Sequence, residues 1–106
     1  MERPISVVFR RTDGRWEGHD YRVEVLTERQ GLDAFDVVMD FRVLEAALDA
    51  LLAPMEGQLL SELGMTGPLE LARQLLAELS PKVPAPAHLV SVALTDVHGR
   101  RLTLRS

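Results

Sequence analysis

The fold is decided by Gly18-His19-Asp20-Tyr21-Arg22-Val23-Glu24-Val25. His19, Tyr21, Val23 and Val25 fall on one side of this stretch, and Asp20, Arg22 and Glu24 on the other. Side chains of a strand alternate between its two faces, so the pattern predicts a half-buried antiparallel strand from about Glu17 to Thr27. Upstream, Ile5, Val7 and Phe9 alternate with Ser6, Val8 and Arg10, which suits a first strand. Thr12-Asp13-Gly14 lies between them as a tight-turn signal, because glycine accepts positive φ without a Cβ clash. The N-terminal third therefore reads as a hairpin.

Downstream, residues 28–36 contain Gly31 and mixed polarity and read as a loop. Asp40 is well placed to cap a helix, since its carboxylate can accept from the first free backbone N–H groups. Phe41, Leu44, Leu48 and Leu51 then share one face at helical spacing, and Pro54 stops that helix. A short helical piece is expected near Gln58–Leu63, closed by Gly64. Pro68 is pre-set for the first turn of a second helix, and Glu70 is favourable near its positive end. Leu69, Ala72, Leu76 and Leu79 form the expected buried stripe. Ser80-Pro81-Lys82-Val83-Pro84-Ala85-Pro86 reads as a stiff connector. Val90, Val92 and Leu94 give a third strand, His98-Gly99 a turn, and Leu102 with Leu104 a fourth strand. The order predicts an α+β domain spanning residues 1–106. Its antiparallel four-stranded sheet is made of two hairpins, with two helices inserted between them and packed on one face.

Composition narrows the function classes. The chain has 106 residues, 46% hydrophobic and 26% charged, ordinary for a soluble domain. Its 12 basic and 16 acidic residues leave a net charge of −4, so no nucleic-acid footprint is expected. No apolar run is long enough to span a bilayer, and Met1-Glu2-Arg3-Pro4 lacks the pattern of a signal peptide. No membrane partner and a cytoplasmic location are the resulting expectations. The count of zero cysteines removes disulfides, thiolate catalysis and Cys-ligated zinc. No serine lies in a Gly-x-Ser-x-Gly context, and neither a phosphate loop nor a dinucleotide fingerprint is present.

The Gly18–Val25 segment, with Val37-Val38-Met39-Asp40-Phe41 after it, resembles the signature of the 6-pyruvoyl- and 6-carboxy-tetrahydropterin synthase family. These are zinc-dependent carbon–oxygen lyases of the T-fold, or tunnelling fold. The resemblance covers nearly the whole chain, including the Gly67–Ala72 helix start, and implies the same fold. It also implies where the chemistry would lie. Family members hold zinc with a histidine at the end of the first strand and a His-x-His pair on the second; residues i and i+2 of a strand point the same way. The matching positions here are about Phe9, Glu17 and His19. The family's nucleophilic cysteine lies in a long loop that has shrunk here to Arg10–Trp16. Its Leu-Asp-His proton-transfer motif corresponds to Met55-Glu56-Gly57-Gln58-Leu59-Leu60. Its pterin-anchoring glutamate near the end of the third strand falls at Leu94 or Thr95.

A degenerate member, or pseudoenzyme, is therefore expected, acting as an oligomeric binding or structural module. No catalytic residue is expected. The alternative is an active pterin- or queuosine-pathway lyase with a rewired site, in which His19 and Glu56, helped by Glu17, would do the acid–base work. No cofactor is expected, but a vestigial zinc site would use His19 and Glu17, with His88 or His98 of a neighbouring subunit as a candidate third ligand. The resemblance implies self-association as a trimer or dimer of trimers, and a pterin- or purine-like small molecule as possible ligand.

Each candidate also has a plainer reading. Glu17 and His19 can be a charged residue at a strand start and its hydrogen-bonded histidine. Arg10, Arg11, Arg15, Arg100 and Arg101 could form an anion pocket, but solvated hairpin ends are favoured. Trp16 and Tyr21 could stack on a flat ring, yet such residues more often anchor a core or interface. Met39, Met55 and Met65 read as core fillers.

Overall fold

A computed structural model of the chain describes residues 1–29, 41–83 and 87–106. The expected loop at 28–36, beyond Arg29, and the Val37–Asp40 segment with the expected Asp40 cap lie outside the described residues, as do Pro84–Pro86. Four strands are present: β1 (Glu2–Arg10), β2 (Trp16–Arg29), β3 (Ala87–Thr95) and β4 (Arg101–Arg105). Two helices, α1 (Phe41–Leu52) and α2 (Pro68–Leu79), lie between the hairpins in sequence. The sheet order is β1-β2-β3-β4, antiparallel throughout. This is the α+β architecture of the T-fold.

The alternation in β2 translates directly into burial. Tyr21, Val23 and Val25 are buried with Ile5, Val7 and Phe9 of β1, while Asp20 and Arg22 are exposed. Leu44, Leu48, Leu71, Leu75 and Leu79 cover that face, and the buried side chains form one cluster. Each such leucine contributes roughly 1.5–3 kcal/mol of burial free energy.

Three expectations about which residues face the core are corrected. On α1 the buried residues among those described are Leu44, Leu48 and Leu52, with Leu51 only half-buried; the burial of Phe41 lies outside the description. On α2 they are Leu71, Ala72, Leu75 and Leu79, while Leu69 is 39% exposed. Both helices are leucine-rich enough to offer two stripes at helical spacing, and the surface they pack against selects one. On β3, Leu89 and Ala87 are buried and Val90 is half-buried. The pairing steps from Leu26↔Ser91 to Thr27↔Leu89, so β3 carries one extra residue there. Such a bulge switches which residues of the strand face the core.

The turns follow their sequence signals. Gly14 and Gly99 close the two hairpins at φ +85° and +81°. Pro54 sits in a 3-10 turn directly after α1, and Gly64 ends a second such turn at φ +85°. Among the described residues no helix is long and apolar enough to cross a membrane.

The two outer edges of the sheet differ. Along β1, Pro4 has no N–H, and Ser6 N–H donates to the Glu56 carboxylate at 3.2 Å. Val8 N–H donates to the Gln58 carbonyl at 2.9 Å, and Arg10 N–H to Ser61 Oγ at 2.9 Å. Gly57 N–H returns a bond to the Ser6 carbonyl at 2.7 Å. The segment after α1 thus covers this edge from Ser6 to Arg10. On β4, Leu102 and Leu104 fall in hydrogen-bonding register with β3, so the backbone groups of Arg101, Thr103 and Arg105 face outward.

Candidate functional site

The start of β2 and the β3–β4 turn lie at the same end of the sheet, and the candidate site lies between them. On β2, Glu17 and His19 share a face, and register places Phe9 opposite Glu17 and Val7 opposite His19. The His19 ring lies between two aromatic rings. Its centroid is 5.8 Å from Phe9, tilted by 52°, and 5.6 Å from Tyr21, stacked at 10°. His19 Nε2 is 3.4 Å from Glu17 Oε1, and Glu17 lies 3.8 Å from Arg11 Nε. Phe9 is only 5% exposed. The three positions of the expected metal corner therefore converge, but a phenyl ring fills one of them.

Across from this corner, Asp96 follows the last residue of β3 and organises the turn into β4. Its Oδ1 accepts the backbone N–H groups of His98 and Arg100, each at 2.9 Å. Its Oδ2 accepts Arg100 Nε at 2.7 Å. Desolvation pushes the Asp96 carboxyl up. The Arg100 backbone and side-chain hydrogen bonds, the His98 N–H and the Arg100 charge outweigh it and hold the group below the usual carboxylate range.

Between the two corners opens a cleft of about 310 Å³. His19, Tyr21, Leu94 and Leu102 form much of its wall; Asp96, Arg100 and Arg101 supply its charge, and Pro68 brings in the start of α2. A smaller notch of about 180 Å³ adjoins it, lined by Glu17, His19, Asp96 and His98 among others. Tyr21 is held protonated well past neutrality: burial raises its phenol, the Asp96 and Glu17 charges add to that, and Arg100 partly opposes it. Stacked rings, an apolar wall and a single well-placed carboxylate suit a flat heterocycle with N–H donors on its edge.

The structure brings Glu17 and His19 together and sets Glu56 elsewhere. Glu56 binds the outer edge of β1, so β1 stands between it and β2. It lines neither the cleft nor the notch. Gly57, at the place of the family's histidine, has φ +70°, a conformation that suits glycine. Leu94 is a wall of the cleft at 1% exposure, and Thr95 accepts a bond from Arg101 Nη1 at 3.4 Å. The carboxylate near the end of the third strand is Asp96, a residue that sequence reasoning passed over. Its signal was present: an Asp ahead of a His-Gly turn commonly accepts the N–H groups that follow it. Of the remaining histidines, His98 lines the notch, while His88 pairs with Glu28 far along β3. Most of the arginine cluster is engaged within the chain. Arg11 lies near Asp13 and Glu17, Arg100 binds Asp96, and Arg101 binds Glu24. Trp16 is 65% exposed at the first residue of β2.

The residues present do not fit a three-ligand zinc. Glu17 and His19 offer two donors, and the third position is a packed phenyl ring. Among the described residues, no group of three or more His, Cys, Asp or Glu side chains is arranged to hold a metal.

A four-stranded antiparallel sheet with two helices on one face, and a cleft where β2 begins and β3 ends, defines a T-fold protein. The sequence model of the 6-pyruvoyl tetrahydropterin synthase family matches residues 10–106, and the chain belongs to that family. No curated protein matches the chain.

Proposed function

We propose that this chain is a non-catalytic member of the 6-pyruvoyl tetrahydropterin synthase family that binds, without converting it, a pterin- or purine-like molecule in the cleft beside His19 and Tyr21. The observation that carries the reading is the Phe9 ring packed at 5.8 Å against His19, where the family resemblance puts a zinc histidine. The chain also has no cysteine to serve as nucleophile. Losing one member of a cooperating catalytic set costs orders of magnitude in rate, and here several are replaced. Asp96 supports the binding half of the reading, since a carboxylate pairs well with the amino and ring N–H groups of such a ligand.

Self-association belongs to the same proposal. A ring of subunits would pair the outward edge of β4 with the Glu2–Pro4 part of a neighbour's β1, neither of which has a backbone partner on that side among the described residues, giving the trimer or dimer of trimers that the resemblance implies. Light scattering on the purified protein would read this directly, and a monomer at micromolar concentration would count against it.

The deciding experiment combines turnover and binding. Dihydroneopterin triphosphate incubated with the protein and added zinc should remain unconverted, while pterin fluorescence should change saturably. Turnover that disappears in His19→Ala would instead establish a rewired enzyme.

A further inference from the structure

We infer that the Arg100 guanidinium occupies the place of a ligand's donor edge, so that the cleft takes up a planar 2-amino heterocycle by exchanging it for Arg100 at Asp96. This rests on the pterin- or purine-like reading above and specifies how the ligand is recognised.

The two oxygens of Asp96 have different duties. Oδ1 is committed to the fold, because it accepts the N–H groups of His98 and Arg100 within the turn. Oδ2 receives only Arg100 Nε among the described residues. The carboxylate side chain is 13% exposed and faces the cleft, whereas that of Arg100 is 75% exposed. The arginine is therefore a solvent-side chain whose guanidinium is held by one ion pair, an arrangement that contributes little to stability. A guanidinium is flat and presents its N–H donors in one plane. A 2-aminopyrimidinone ring carries an exocyclic amine beside a ring N–H, which gives the same donors in the same plane. Displacing Arg100 would leave its backbone in the turn, since Asp96 N–H still donates to the Arg100 carbonyl at 2.9 Å. The ligand's ring would then lie along Tyr21, Leu94 and Leu102, the apolar side of the cleft. Selectivity follows from the same geometry: a heterocycle with an oxygen in place of the 2-amino group turns an acceptor toward the carboxylate and keeps only its ring N–H, so it replaces the arginine poorly.

Fluorescence titration of the full chain tests this with pterin as probe and lumazine, its 2-oxo counterpart, as control. Arg100→Ala should bind pterin about three- to tenfold more tightly than the unaltered protein, because the internal competitor is gone. Lumazine binding should not improve. Asp96→Asn keeps an oxygen for the turn N–H groups but replaces the ligand-facing oxygen with a donor, and should lose pterin binding. If that variant does not fold, the pterin-to-lumazine comparison in Arg100→Ala decides alone. Saturable pterin binding that Arg100→Ala leaves unchanged or weakens would overturn the exchange and leave the binding reading intact. Equal gains for pterin and lumazine, or undiminished pterin binding by folded Asp96→Asn, would also overturn it. No saturable binding by any variant would overturn both the exchange and the binding reading.

Discussion

The two corners of the cleft are incomplete in different ways. At the β2 corner an aromatic ring fills a position where a donor would be needed, and Phe9 is 5% exposed and locked in the core. At the β3–β4 corner the carboxylate of Asp96 is present but already holds Arg100. The first corner can change only by mutation. The second can change by exchange, because its arginine is mostly in solvent. On the proposed reading, the β3–β4 corner could still recognise a ligand where the β2 corner no longer supports the family's chemistry. The groups for catalysis must all be present together, but a binding carboxylate acts alone.

The largest expected effect comes from rebuilding the first corner. Phe9→His with Glu17→His places three imidazoles where Phe9, Glu17 and His19 converge, and the double variant should take up about one zinc per chain by titration. Its folding should suffer, since a buried phenyl is replaced by a smaller polar ring at a cost on the order of 2–4 kcal/mol. No gain in zinc affinity by a folded double variant would show that the corner has lost its frame as well as its ligands. Removing the ring alone, in Phe9→Ala, should lower stability in urea by about 3 kcal/mol. A change below about 1 kcal/mol would mean that the ring is not packed as described.

The second corner makes a pH prediction. The folded-state pKa of Asp96 is depressed, so its contribution is present above the unfolded value near ~4. That contribution is lost as pH falls through the lower folded value. Urea midpoints of the unaltered protein and Asp96→Ala should therefore differ at neutral pH and converge as the solution is made strongly acidic. A gap that stays constant down to low pH would remove the carboxylate from the turn's stability.

The smallest effect is expected at Glu56. Glu56→Ala frees one exposed edge N–H on Ser6 and should cost less than about 1 kcal/mol. Pterin binding should be unaffected, because β1 separates this residue from the cleft. A large loss of binding would place Glu56 in the site after all.

Much of the frame was legible in the sequence because it depends on local period. The alternation through His19, Tyr21, Val23 and Val25 gave β2 and its buried face, and Pro54, Gly64 and Pro68 marked helix boundaries. What the sequence hid depends on pairing. The extra residue in β3 exists only relative to β2, so Val90 looked like a core residue in place of Leu89. The helix stripes were ambiguous because Leu69 and Leu76 fit the period as well as Leu71 and Leu75. At the site, Glu17 and His19 could be paired from their i, i+2 spacing. Two features could not be read that way. The Phe9–His19 contact is set by β1–β2 register, and the importance of Asp96 appears only once the turn folds its N–H groups back onto the carboxylate.

If the Phe9 ring closes the β2 corner to metal, zinc should find no site there even when it is supplied. Zinc content of the protein purified without added metal, followed by titration with zinc at neutral pH, tests it most directly. Far less than one equivalent should be retained, with no saturable uptake at micromolar zinc. One zinc per chain, lost in His19→Ala, would contradict it.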